Sequence, residues 1–126
     1  MAITERRSGP AVVLTPDSDI TWRTQPELKD ALDELSARGE KHIIIDLTNV
    51  REISGYGLGL LASRCGRLRR EHGDIRLTNT SEPVRRLLHV TNLQKTFSEC
   101  EFETADTAVQ SFTIMNRGDD RNDEEV

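Results

Sequence analysis

The feature that most constrains the fold is a pattern of strand, turn and helix in the middle of the chain. Ile43, Ile44 and Ile45 form a short β-branched run, which Asp46 ends with a charge. Such a run is typical of a strand that is buried on both faces. Apolar residues then recur at helical spacing and predict a helix with one apolar stripe. The stripe consists of Leu58, Leu61, Ala62, Cys65 and Leu68.

The turn between this strand and this helix, residues 49–59, holds the candidate functional residues. Gly55, Gly57 and Gly59 would release the backbone from the usual φ limits and let another surface approach closely. A bulky side chain at position 57 is therefore expected to block that approach and to leave the fold intact. Ser54 is the best-placed cap of the helix, whose exposed N–H groups favour an anion or a phosphorylated side chain.

We predict that this turn and the start of the helix dock a protein partner. Tyr56 and Leu60 would supply apolar anchors, and such anchors usually carry most of the energy of an interface. The alternative for Leu60 is packing under a neighbouring loop. The predicted partner-binding residues are Ser54, Gly55, Tyr56, Gly57, Leu58 and Leu60.

Strands and helices alternate along the rest of the chain, which implies crossover connections and a parallel or mixed sheet. Predicted strands cover residues 3–6, 11–15, 43–45, 74–79 and 97–102, and predicted helices begin at the caps Thr24, Ser54, Ser81 and Thr104. Thr24 and Glu27 have the spacing of a capping box. Trp22 is expected to lie over the core as a lid, because its large ring is best hidden.

The composition describes one globular domain. The chain has 126 residues, of which 35% are hydrophobic and 31% are charged, the balance of a domain with an ordinary core. No apolar run approaches the roughly 20 residues that span a bilayer, so we expect no membrane insertion and a cytoplasmic protein. Residues 116–126 lack an apolar pattern, so we expect a domain over residues 1–115 followed by a disordered acidic tail.

We expect neither catalysis nor a metal or cofactor site. Ser54 has no histidine placed by the sequence to act as its base, and Cys65 belongs to the apolar stripe. The histidines fall at no metal-ligand spacing. Cys65 and Cys100 are expected to be buried thiols rather than a disulfide.

A cluster of arginines between Arg64 and Arg86 makes nucleic acid a tempting partner. We do not expect that function, because no aromatic residues are interleaved for base stacking and the net charge of the chain is −5. A face that meets an acidic protein, or a solvated helix face, explains the arginines better.

The chain resembles the STAS domain of bacterial anti-sigma factor antagonists over roughly residues 9–112. The segments that carry the resemblance are residues 46–50, Gly57-Leu58-Gly59 at the family's spacing, residues 79–88, residues 91–93 and Phe97. The resemblance implies an α/β fold with a single STAS-like domain. Its sheet would be mixed and mostly parallel, with four or five strands and about four helices mainly on one face.

The sequence departs from the family at the regulatory position. The family's turn usually reads Asp-Ser-Ser/Thr-Gly-Leu-Gly, and an anti-sigma kinase phosphorylates the serine after the aspartate to turn binding off. With the alignment anchored on Gly57-Leu58-Gly59, Ser54 stands for the aspartate and Gly55 for the phosphoserine. The resemblance thus implies docking without the usual switch. Phosphorylation of Ser54 is the alternative, and it requires a shifted alignment.

The implied function is regulation by binding an anti-sigma factor, which is a serine kinase-like protein, or a related regulatory protein. One alternative is a STAS subunit or scaffold of a stressosome-like or transporter-associated assembly. Another is a weak nucleotide-binding module, because Gly55, Gly57 and Gly59 faintly resemble a dinucleotide loop. That loop lacks the later glycine of the dinucleotide motif. Formation of a homodimer stays open.

Overall fold

The protein is built around a five-stranded sheet. The structure is a computed structural model, which describes residues 1–97 and 101–102. The strands are β1 (Ile3–Ser8), β2 (Ala11–Pro16), β3 (His42–Asp46), β4 (Asp74–Thr78) and β5 (Glu101–Phe102). The helices are α1 (Gln25–Ala37), α2 (Gly55–Arg70), α3 (Glu82–Val90) and α4 (Gln94–Phe97). Cys100, the predicted helix after Thr104 and the predicted tail over residues 116–126 lie outside the described residues.

The sheet is mixed and mostly parallel, as predicted. Strand β1 runs antiparallel to β2, whereas β2, β3, β4 and β5 pair in parallel in chain order. Parallel neighbours require crossover connections, and α1 and α2 supply them on either side of β3. The last residues of β2, β3 and β4 therefore lie at one edge of the sheet. We call this edge, which begins beyond Pro16, Asp46 and Thr78, the carboxyl edge.

The main core lies between the sheet and one layer of helices. Alternate strand residues face the helices, as the period of two requires. They are Val12, Leu14, Ile43, Ile45, Ile75 and Leu77, and they pack with Leu28, Leu32 and Leu35 of α1, the α2 stripe, and Val84 and Leu88 of α3. Ile44, between Ile43 and Ile45, is equally buried. The prediction that this strand is buried on both faces is thus confirmed.

The predicted last strand is wrong for Phe97. The N–H groups of Thr96 and Phe97 both donate to the carbonyl oxygen of Leu93, at 3.0 and 3.1 Å, and so begin a helical turn. Phe97 is buried at the end of that turn. Its apolar character reflects packing against the core, and the β-ladder to β4 involves Glu101 and Phe102.

The predicted capping box at the start of α1 is also wrong. The Thr24 hydroxyl makes no bond to the helix. Instead it donates to the carbonyl oxygen of Asp19 at 2.8 Å and accepts from the N–H of Thr21 at 2.9 Å. The carboxylate of Glu27 lies 2.8 Å from the amino group of Met1. Thr24 is therefore engaged in its own loop and Glu27 in a contact with the first residue, and neither side chain caps the helix.

The arginines between Arg64 and Arg86 do not form one basic face. Arg76 on β4 is fully buried and lies 3.5 Å from a carboxylate oxygen of Asp74. Arg64 pairs with Asp33 of α1, and Arg86 pairs with Glu82 within α3. Arg64, Arg76 and Arg86 thus do not share one face. Arg67 and Arg70 are exposed on α2, which agrees with the alternative of a solvated helix face.

Candidate functional site

The candidate docking turn, residues 49–59, is held at the carboxyl edge by the loop between β2 and α1. A carboxylate oxygen of Asp19 accepts from the backbone N–H groups of Arg51 and Glu52, at 2.8 and 3.1 Å. Ile20 and Ile53 then form a short parallel bridge. In it the N–H of Ile20 donates to the carbonyl oxygen of Glu52 at 3.1 Å, and the N–H of Ser54 donates to the carbonyl oxygen of Ile20 at 2.7 Å. The turn is thus fixed immediately before α2 begins.

Ser54 caps α2, as predicted. It has an extended backbone, and its hydroxyl oxygen accepts from the N–H of Gly57 at 3.0 Å. Its carbonyl oxygen accepts the first helical bond, from the N–H of Leu58 at 2.9 Å. The hydroxyl therefore already satisfies one of the exposed N–H groups at the start of the helix.

The three glycines of the turn do not act as the sequence suggested. Gly55, Gly57 and Gly59 all belong to α2, and none has a positive φ. What distinguishes them is the space beside each one. A Cβ atom at Gly57 would lie 2.6 Å from Cγ2 of Ile20, whereas Gly55 and Gly59 face open space. Gly57 is thus required by internal packing, and the expectation that a bulky residue there leaves the fold intact is wrong.

The six predicted partner-binding residues separate into accessible and buried positions. Leu58 is fully buried in the apolar stripe, and Gly57 is buried against Ile20. A partner cannot touch either one without unfolding the helix, so their place in the predicted docking set is corrected. Gly55 is exposed and Tyr56 is 79% exposed. Ser54 and Leu60 are half-buried, and Leu60 packs against the core cluster.

Hydrogen bonds also join the start of α3 to the turn. The Ser81 hydroxyl donates to the carbonyl oxygen of Arg51 at 2.7 Å and accepts from the N–H of Val84 at 3.3 Å. It therefore caps α3, as predicted, while it holds the turn. The helices α2 and α3 consequently both begin at the carboxyl edge, beside residues 51–54.

A second polar cluster lies at the carboxyl end of β3, around Asp46. One carboxylate oxygen of Asp46 accepts from the N–H and the hydroxyl of Thr48, at 3.0 and 2.6 Å, and from the side-chain amide of Asn79 at 3.0 Å. Partial burial favours the neutral acid, but these hydrogen bonds hold the pKa of Asp46 below its ordinary value. Asp46 is thus a structural anion at the base of the turn.

Sequence reasoning missed Trp22 and Arg23 as surface residues of this edge. Trp22 is 69% exposed, so its predicted role as a lid on the core is wrong. The guanidinium carbon of Arg23 lies 5.1 Å from the centre of the Trp22 ring, a cation–π distance. The signal that could have identified the pair is Trp-Arg in a loop that directly follows a parallel strand.

The setting of Cys65 does not suit a nucleophile. Its sulfur is fully buried in the α2 stripe and donates to a carboxylate oxygen of Asp74 at 3.0 Å. A reactive thiolate needs an accessible, cationic environment, and this thiol faces a carboxylate.

The helices were also compared with the length and hydropathy that a membrane span requires. Among the described residues, none of the helices combines the two.

Comparisons with known proteins agree with this architecture. The family model of the STAS domain matches residues 2–109. The solved structure of TM1081 from Thermotoga maritima is 21% identical, with a TM-score of 0.81 over 88% of this chain and 94% of that one. An anti-sigma factor antagonist from Mycobacterium paratuberculosis is 26% identical, with a TM-score of 0.78 over 89% and 93% of the two chains.

A third solved structure is that of the anti-sigma factor antagonist SpoIIAA of Bacillus in its unphosphorylated form. It is 18% identical, with a TM-score of 0.72 over 86% of this chain and 93% of that one. A search of curated protein sequences found no significant match. The family model covers most of the chain. The chain therefore belongs to the STAS domain family.

Proposed function

We propose that this protein is a cytoplasmic regulatory module of the anti-sigma factor antagonist type. It binds a serine kinase-like anti-sigma factor through the accessible part of the docking turn, which consists of Ser54, Gly55, Tyr56 and Leu60. The observation that carries the proposal is the setting of Tyr56. This aromatic ring is 79% exposed on the first turn of α2, between two residues that add little bulk, Gly55 and Gly57.

The turn suits docking because it is rigid before a partner arrives. The cap at Ser54 and the bridge between Ile20 and Ile53 fix the backbone on both sides of Tyr56. Little backbone entropy is then lost on binding, which favours affinity. Gly55 adds no side chain between the partner and the helix start.

We further propose that binding is not switched off by phosphorylation at the turn. Gly55 has no hydroxyl group to modify. The hydroxyl of Ser54 accepts the hydrogen bond of the cap, and a phosphate of about −1.5 to −2 charges there would have to be accommodated beside Tyr56. The protein would then bind its partner whether or not the kinase is active.

The test uses the purified chain and each serine kinase-like anti-sigma factor encoded in the same genome, titrated by calorimetry. Tyr56→Ala is expected to weaken binding at least tenfold, because an exposed aromatic anchor is lost. Val90→Ala is the matched control, since Val90 is 77% exposed at the far end of α3. Equal affinity of the parent and Tyr56→Ala would contradict the proposed docking mode. Absence of binding to every such factor would favour a scaffold in another assembly.

Phosphorylation is tested in the same mixtures with ATP. Mass spectrometry is expected to find the parent protein unmodified within residues 49–59. Stoichiometric phosphate on Ser54 would overturn the second part of the proposal, because the alignment that places Ser54 at the switch position would then be right.

A further inference from the structure

The loop between β2 and α1 presents an aromatic side chain and a cation on the same edge as the docking turn. Trp22 is the only tryptophan of the chain, and it is 69% exposed with Arg23 stacked on its ring. Burying one tryptophan ring removes on the order of 200 Å² from water. An exposed tryptophan therefore forgoes a large stabilisation, which a binding role can offset.

The two aromatic sites are joined by the bridge between Ile20 and Ile53. Trp22 follows Ile20 by two residues, and Tyr56 follows Ile53 by three. At about 3.8 Å per residue, the Cα atoms of Trp22 and Tyr56 lie within about 8 and 11 Å of the bridge. Both segments leave the carboxyl edge, from the neighbouring strands β2 and β3.

Hydrogen bonds also fix the backbone of the Trp22 loop. The hydroxyl of Thr24 ties the loop to the carbonyl oxygen of Asp19, and the N–H of Thr24 donates to the carbonyl oxygen of Thr21 at 3.2 Å. The hydroxyl of Thr21 accepts from the N–H of Arg23 at 3.2 Å. The Thr24 hydroxyl thus bonds within this loop, and α1 has no side-chain cap. A missing cap lowers the stability of a helix, so the loop geometry is maintained at the expense of helix stability.

The charges near Trp22 indicate the chemistry of the partner. Among the described residues, Arg23 and Arg51 form no ion pair, and both are exposed on this edge with Glu52 as a neighbouring carboxylate. The acid of Asp19 is engaged by backbone N–H groups, and that of Glu27 by the amino group of Met1. A guanidinium beside an apolar ring pairs best with a carboxylate at the rim of an apolar pocket.

We propose that Trp22 and Arg23 form a second anchor for the partner protein, which presents an apolar pocket bordered by carboxylates. This inference rests on the proposed function and extends its site from one loop to two. Tryptophan, tyrosine and arginine are the residue types that most often dominate interface energies, and this edge presents all three types.

The experiment uses the full chain labelled with 5-fluorotryptophan and the purified anti-sigma factors described above as probes. Because Trp22 is the only tryptophan, the ¹⁹F spectrum reports this side chain alone, whatever aromatic residues the probe contains. Binding is expected to shift this resonance. Calorimetry is expected to show at least about a 30-fold loss for Trp22→Ala and a larger loss for Arg23→Glu than for Arg23→Lys. Val90→Ala is again expected to bind like the parent.

Each other outcome has a distinct meaning. Unchanged affinity of Trp22→Ala with an unshifted ¹⁹F resonance, while Tyr56→Ala loses binding, overturns the second anchor and leaves the proposed function standing. Binding by none of the probes overturns both. A resonance that shifts with the concentration of the chain alone assigns this surface to a second copy and overturns the inference. Thermal unfolding verifies that Trp22→Ala is folded, as expected for an exposed side chain.

Discussion

Nε of Arg69 lies 2.9 Å from a carboxylate oxygen of Asp74, across the turn that joins α2 to β4. The same oxygen accepts from the N–H of Ile75 at 2.9 Å and from the thiol of Cys65 at 3.0 Å. The other oxygen lies 3.5 Å from Nε of the buried Arg76. Asp74 therefore accepts hydrogen bonds from, or pairs with, several polar groups at the start of β4, which is the end of the sheet opposite the carboxyl edge.

We expect Asp74→Ala to destabilise the protein by on the order of 3 kcal/mol or more, because it removes a carboxylate partner of a buried guanidinium. Urea unfolding measures the change. Glu82→Gln is the matched control: it breaks an exposed pair with Arg86 and should change stability by less than about 1 kcal/mol. Similar losses for the two variants would show that the Asp74 cluster is not structural.

Gly57 and Gly59 of α2 provide an internal comparison. Gly57→Ala is expected to destabilise the protein by about 1–3 kcal/mol, because the added methyl group collides with Ile20, which the bridge to Ile53 holds in place. Gly59→Ala faces open space in the helix interior and should stabilise by about 0.5–1 kcal/mol. Thermal unfolding of both variants distinguishes packing from helix propensity. A stabilising Gly57→Ala would refute the packing argument.

The pKa of Asp46 links the base of the turn to pH. The pKa is lower in the folded than in the unfolded state, so ionised Asp46 stabilises the fold above the unfolded value. This contribution is lost as the pH falls through the folded pKa. Thr48→Val removes a hydrogen bond to the carboxylate, so it should raise the pKa of Asp46 and cost about 1 kcal/mol at neutral pH after solvent screening.

The titration of the Asp46 carboxyl carbon by NMR, together with unfolding curves between acidic and neutral pH, checks this expectation. The difference between the parent and Thr48→Val should shrink as the pH falls. In an Asp46→Asn background, Thr48→Val should no longer show this pH dependence. A difference that persists unchanged in that background would assign the effect to packing of the threonine.

Local sequence signals predicted much of this structure. The β-branched run at Ile43 is a buried strand, and the caps Ser54 and Ser81 both bond to the N–H group three residues on. These features depend on residues close in sequence. The core-facing stripe of α2 was predictable for the same reason, because its period alone identifies the buried side.

The failures involve choices that the local sequence pattern does not decide. The Thr24 hydroxyl had two local choices, the helix or the loop, and the loop fold decided between them. Gly57 is small because Ile20, more than thirty residues away in sequence, lies against it. The exposure of Trp22 likewise depends on how its loop meets the carboxyl edge. Neither composition nor local pattern shows which distant residues come into contact.

The proposed function predicts that a phosphorylation switch can be introduced. Ser54→Asp with Gly55→Ser gives the turn the aspartate and serine of the family's pattern, and a Cβ atom at position 55 would meet no atom within 4 Å. Aspartate is also a good helix cap, so the double variant should fold with nearly the parent's stability. Incubated with its anti-sigma factor and ATP, it should gain one phosphate and bind more weakly, as mass spectrometry and calorimetry would show. Phosphorylation without release would contradict the proposed role of the turn.

The empty space beside Gly55 means that internal packing does not constrain which residue stands at the position proposed for the switch. Because a Cβ atom at position 55 would meet no neighbour, a hydroxymethyl group can replace the hydrogen atom of the glycine there without a compensating change in the packing around it. Under the proposed function, a serine at this position would make binding subject to phosphorylation and a glycine would make it constitutive. The two forms would then share one scaffold, because the packing of the turn is the same for both.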